Sequence, residues 1–219
     1  MVNFTIQELG LDCRNAFVGV YLASDEMLTK RQPLSKNQIR HLQKTCYQID
    51  DDLRWLIALI SDIGMRLAEA AGLKIEDLNL DHQHPHITLA PYPHRFLKPK
   101  SSERIIPLVG SFLWAAKRIK ESSVNEFCFL RYSNKEVCNS NSESAALNKW
   151  IKTIAAKDSV IHGLRHSFRD RLREVEAPSE LIDQLGGNGY AIENMSKWME
   201  KIVIQKKDCL PPLCMFLKT

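Results

Sequence analysis

Four residues that could hold an anion recur along one short stretch: His162, Arg165, His166 and Arg169. Their spacing puts them on one side of a helix, while Leu164, Phe168, Leu172 and Val175 line the other and can face a core. An arginine keeps its charge at any physiological pH and can grip a phosphate through two parallel hydrogen bonds. A basic helix face can equally be plain solvated surface, so the rest of the chain has to decide. Arg66 follows Gly64 within an otherwise apolar run, and Glu69 stands three residues on, close enough to share a helix face. A basic turn, Lys98-Pro99-Lys100-Ser101-Ser102, precedes Arg104. Charge is unevenly spread: residues 94–120 hold seven Lys or Arg against Glu103, and residues 162–173 hold four Arg against Asp170. Such local clusters are the expected footprint of phosphate binding, although a net charge of +4 proves no nucleic-acid partner.

The elements that must position these groups read as mostly helical. Ser35 and Gln38 form a capping box that opens a helix containing Ile39 and Leu42. A second helix starts near Asp50, with acids in its first turn. Its Trp55-Leu56-Ile57-Ala58-Leu59-Ile60 run is apolar nearly all round and therefore buried. Gly64 can bend the chain after it. Leu78-Asn79-Leu80, His86-Ile87-Thr88-Leu89 and Arg104-Ile105-Ile106-Pro107-Leu108 read as three short strands. Helices follow over about residues 110–120 and 142–155, then the His162 stretch, then a short helix from Pro178 to Leu185 and a last one over 192–202. The expected fold is mainly α with a small antiparallel three-stranded sheet (α+β). Its expected organisation is residues 1–30 as the remnant of a preceding domain plus linker, 31–204 as the main domain and 205–219 as a tail.

The six cysteines show no C-x-x-C pair and read as reduced thiols. No apolar run is long enough to span a bilayer, and a cytoplasmic location is expected. His82, His84 and His86 alternate as zinc ligands on a strand would. No fourth ligand accompanies them, and Pro85 favours a loop, so no metal is expected. A metal-dependent nuclease would also need a carboxylate cluster beside the histidines, which the sequence lacks.

Three motifs, in order, resemble those of the catalytic domain of tyrosine recombinases, specifically phage-type integrases. Gly64-Met65-Arg66-Leu67-Ala68-Glu69 is similar to the family's first arginine box. The stretch from Leu97 to Arg104, ahead of Ile105-Ile106-Pro107-Leu108, is similar to its lysine hairpin. His162-Gly163-Leu164-Arg165-His166-Ser167-Phe168 is similar to its His-x-x-Arg box. The resemblance spans about residues 30–201, and residues 1–30 resemble the end of the helical domain that precedes it in the family.

What the resemblance implies is site-specific DNA recombination or integration, in which a tyrosine attacks a phosphodiester and conserves the bond as a phosphotyrosine. The partner would be double-stranded DNA, with self-association on it left open, and no cofactor would be needed. Arg66 and Arg165 would stabilise the charge growing on the non-bridging oxygens. Lys98 would protonate the departing sugar oxygen, and His162 would assist proton transfer or orientation. Lys100, Arg104, His166 and Arg169 would contact DNA. The three catalytic groups Arg66, His162 and Arg165 should then converge on one cleft, with Lys98 at its rim.

The sequence also departs from the pattern. The family has Leu-Gly-His and then its tyrosine roughly nine residues later. Here Leu185-Gly186 leads to Gly187, and Tyr190 follows three residues after that. About a dozen residues are missing by motif spacing, and Tyr190 is the nearby candidate nucleophile. Two readings follow: a strand-transfer enzyme working through Tyr190, or a catalytically defective DNA-binding remnant that keeps the phosphate pocket.

Overall fold

The computed structural model describes residues 2–16, 18, 33–97, 102–133, 138 and 140–187. The chain divides into two units, Met1–Lys30 and Arg31–Thr219. The described part of the first is one helix, α1 (Val2–Glu8), followed by a turn in which Gly10 takes a left-handed φ of 59°. The helix expected over residues 192–202 and the tail lie outside the described residues.

In the second unit, α2 (Lys36–Ile49) opens at Ser35 with the anticipated capping box. The Gln38 N–H donates to Ser35 Oγ, and the Ser35 N–H donates to Gln38 Oε1. Asp51 caps α3 (Asp52–Ile63) by accepting from the Arg54 N–H. Every residue of α3 from Leu56 to Ile63 is buried, because α2, α5 and α7 pack around it. Helix α3 ends at Gly64, whose φ of 61° lies in the left-handed region that favours glycine. A Cβ there would also sit 2.6 Å from Phe168 Cδ1 of α7. Gly64 therefore does two things: it turns the chain into Arg66, and it lets α7 pack close behind it.

A short helix, α4 (Leu67–Ala71), and one turn of 3-10 helix (Ile75–Asp77) lead into the sheet. Strands β1 (Leu78–Asn79), β2 (His86–Leu89) and β3 (Arg104–Pro107) run antiparallel in that order, with Leu78 opposite Ile87 and Leu89 opposite Arg104. The first and last strands stop before Leu80 and Leu108. The Leu108 N–H donates to Pro85 O, outside the ladder. Strand alternation places Ile87, Leu89, Ile106 and Arg104 on the core side and leaves Ile105 exposed. His82 and His84 fall in the loop before β2, as Pro85 foreshadows. There the His84 N–H donates to His82 Nδ1 at 3.1 Å.

Helices α5 (Ser111–Ser122), α6 (Ser140–Ile154), α7 (Ile161–Glu174) and α8 (Ser179–Leu185) complete the unit. Phe112, Ala115, Ala116 and Ile119 of α5, with Leu147 and Ile151 of α6, join the main core. Asn148 of α6 fixes the start of α7 by accepting from the Ile161 N–H at 2.7 Å. Phe168 and Leu172 on the back of α7 pack with Leu181, Ile182 and Leu185 of α8 in a second cluster. Val175, expected on the same apolar stripe, is exposed because α7 ends at Glu174.

Candidate functional site

Two arginines from distant segments meet at one turn. Arg66 stands at the start of α4, where its N–H donates to Glu69 Oε2 at 3.0 Å and its Nη1 to Glu69 Oε1 at 2.7 Å. The three-residue spacing read from sequence is what makes both bonds possible. Arg66 Nη1 and Nη2 each reach the Gly187 carbonyl at 3.4 Å, and Nη1 reaches Ser102 Oγ at 3.4 Å. Arg165 rises from α7 into the same place. It donates through Nη1 to Gly64 O at 2.7 Å and through Nη2 to Gly186 O in a very short contact. The turn that ends α8 thus offers its two successive carbonyl oxygens to the two guanidiniums.

The electrostatics match. Burial lowers the Arg165 pKa to about 10. The like charge of Arg66 adds to the fall, and those of Arg104 and Arg169 contribute, while Glu69 opposes it. A cation held among cations is a place where an added anion gains energy. Glu69 is driven the other way. Burial alone would raise its pKa, but the charge and hydrogen bond of Arg104, then the bonds from Arg66, outweigh burial and leave it lowered.

Of the remaining expected residues, Arg104 joins the same cluster through Glu69. Arg104, expected at a DNA surface, has a side chain with 0% exposure. It donates through Nη2 to Glu69 Oε2 at 2.8 Å and through Nη1 to Ser102 O at 2.7 Å. The reason is strand alternation, which turns Arg104 to the same side as buried Ile106. His162 and His166 are exposed on α7, edge to face with ring centres 4.8 Å apart. Arg169 bonds Asp183 of α8 at 2.5 Å. Lys98, Lys100 and Tyr190 lie outside the described residues. Ser102 and the Gly186 and Gly187 carbonyls were not singled out in the sequence. Ser102 carried no signal beyond its place in the basic turn, and backbone carbonyls carry none.

Gly187 has a φ of 68°, and a Cβ on it would stand 2.6 Å from Arg104 Nη1 and 3.2 Å from Arg66 Nη1. Where the family pattern puts histidine, this chain brings bare backbone against the arginines. Among the described residues no group of three or more His, Cys, Asp or Glu could hold a metal, and no helix is long and apolar enough to cross a membrane.

The family model described as "Phage integrase family" matches residues 32–189. No curated protein matches the chain. Among solved structures it resembles XerA recombinase, with 18% identity and a TM-score of 0.57 over 94% of this chain and 72% of that one. The Tn1549 transposon integrase, solved in complex with a circular intermediate DNA, matches with 18% identity and a TM-score of 0.60 over 92% of this chain and 74% of that one. XerH site-specific recombinase, solved bound to a palindromic difH substrate, matches with 20% identity and a TM-score of 0.53 over 87% and 54%. The fold is that of a tyrosine recombinase catalytic domain, mainly helical with its small three-stranded sheet. The chain belongs to the phage integrase family.

Proposed function

We propose that this chain binds double-stranded DNA and takes part in site-specific recombination, seating one phosphodiester between Arg66 and Arg165. The observation that carries the reading is the pair of guanidiniums aimed at one turn, each already bonded to a carbonyl oxygen. Two partly negative oxygens stand where phosphate oxygens would bind, so a phosphodiester has to displace the Gly186–Gly187 turn. The related Tn1549 and XerH structures on DNA support the choice of ligand.

In the reaction the tyrosine hydroxyl, taken here as Tyr190, attacks phosphorus. The P–O bond to the sugar breaks as the Tyr–O–P bond forms; the tyrosine's proton passes to His162, and the sugar oxygen takes a proton from Lys98. Attack by a second strand's hydroxyl later reverses these changes and releases the tyrosine. Arg66 and Arg165 bind the oxygens on which charge grows, the kind of contact whose loss costs about 100- to 1000-fold in rate. His162, exposed on the first turn of α7, orients the proton transfers. Gly187 supplies no side-chain donor where the family pattern has histidine, and Tyr190 follows it by three residues instead of about nine. A misplacement of about 1 Å can cost on the order of 100-fold, so slow cleavage is expected.

The test is incubation of the intact chain with nicked suicide DNA, followed by detection of a covalent adduct. Slow adduct formation that vanishes in Tyr190→Phe and in Arg165→Ala supports the reading. Adduct that persists in Tyr190→Phe moves the nucleophile elsewhere. DNA binding with no adduct at all leaves a binding protein that does not cut.

A further inference from the structure

Arg104 contributes to the site without touching it from outside. Its side chain is fully buried, and its guanidinium joins two segments of the site: Glu69 of α4 through Nη2 and the Ser102 carbonyl through Nη1. The Gly187 turn presses against it, since a Cβ there would meet Nη1 at 2.6 Å. Glu69, with 4% side-chain exposure, is shared: Oε2 accepts from Arg104 and from the Arg66 N–H, and Oε1 accepts from Arg66 Nη1. The Arg66 side chain is 28% exposed and also faces the turn.

This sharing has an electrostatic consequence. A carboxylate facing one guanidinium cancels it, and the pair then attracts an anion only weakly. A second guanidinium on the same carboxylate leaves the trio with net positive charge, and the geometry directs that charge at the seat. We propose that Arg104 is a positioning residue: it divides the Glu69 charge with Arg66 so that Arg66 keeps its pull on a bound phosphate, and it ties the Ser102 end of the basic turn to the same carboxylate. The inference rests on the reading of Arg66 as a phosphate ligand.

The experiment measures binding of a short DNA duplex and of inorganic phosphate by the intact chain across a salt series, with thermal melting of each variant. Arg104→Met is expected to weaken duplex binding on the order of tenfold and to lower the salt slope by about one, the loss of one effective phosphate contact. In that background Glu69→Gln removes the carboxylate that now cancels Arg66, yet its amide oxygen can still accept from the Arg66 N–H. The double variant should recover most of the lost affinity even though it restores no stability. Arg104→Lys keeps the charge without the two-pronged grip and should fall between wild type and Arg104→Met, which keeps the proposal testable should Arg104→Met fail to fold. Arg104 variants that bind duplex as wild type does would overturn the proposal and leave the DNA reading intact. A double variant weaker than Arg104→Met would reduce Arg104 to a purely structural role. A wild-type chain that binds neither duplex nor phosphate would overturn both readings.

Discussion

Two buried arginine clusters in the same unit follow opposite arithmetic. Behind the sheet, Arg95 faces Asp77, with side-chain exposures of 1% and 3%. Its Nη1 donates to Asp77 Oδ2 at 2.6 Å and to Gly72 O at 3.1 Å, while Nε and Nη2 donate to Ala90 O at 3.1 and 2.6 Å. One cation meets one anion, and nearby carbonyls take the remaining N–H groups. Around the Gly186–Gly187 turn, Arg66, Arg104 and Arg165 are set against Glu69. The first arrangement is charge-balanced and serves the fold. Among the described residues the second carries excess positive charge, which stabilises the folded chain poorly and suits an arriving anion well.

The largest expected effect separates these roles. Arg95→Met strips the partner from a buried carboxylate and should cost about 3–5 kcal/mol, the usual penalty for breaking a buried pair. Denaturant unfolding would show it as a large fall in midpoint. Arg165→Met removes a buried cation crowded by like charges, so its stability should change little or rise while DNA binding and adduct formation collapse. Equal destabilisation by the two substitutions would break the distinction.

The next effect concerns acid. The Glu69 pKa is lowered from its ordinary 4.5, so Glu69 binds protons less readily folded than unfolded. Its contribution to stability is therefore present above about pH 4.5 and is lost as pH falls through the lower folded value. Glu69→Gln should destabilise the chain at neutral pH, and its gap from wild type should narrow steadily as the pH drops below that range. A gap that stays constant with pH would show that Glu69 acts through shape alone.

Much of this was legible in the sequence, and the part that was not has a physical reason. Capping residues, the apolar run of α3, the Gly64 bend and the three strands are local signals, and they appear close to where the spacing put them, with the outer strands each one residue shorter. The pairing of Arg66 with Glu69 was local too. Basic clusters are harder to read, because charge counting along the chain ignores partners brought in by folding. Within 94–120, Arg95 pairs with Asp77, Arg104 with Glu69, Arg118 with Asp50 and Lys120 with Asp81. Within 162–173, Arg169 pairs with Asp183 and Arg171 with Asp62. Among the described residues, these cations also have acidic partners within the fold. Arg104 could have been caught earlier: two residues before core-facing Ile106 on a strand, it had to point inward.

The smallest effect is the one that tests the pocket most directly. Gly187 holds a left-handed φ of 68°, which costs other residues about 1–2 kcal/mol. Its missing Cβ would collide with a guanidinium pinned on Glu69 and on the Ser102 carbonyl, so in Gly187→Ala the turn has to move and the arginine stays. Moving the turn draws its carbonyls off Arg66 and Arg165. A ligand that competes with those carbonyls then gains whatever grip the turn has lost, because apparent affinity scales with the fraction of open pocket. One hydrogen bond of about 1 kcal/mol corresponds to about fivefold. Gly187→Ala should therefore melt slightly lower than wild type yet bind inorganic phosphate and duplex DNA a few-fold more tightly. Such opposite movement is hard to produce by general loosening of the fold, which would weaken both. If affinity falls together with stability, the carbonyls are not rivals of the phosphate, and Gly187 supports the pocket instead of occupying it.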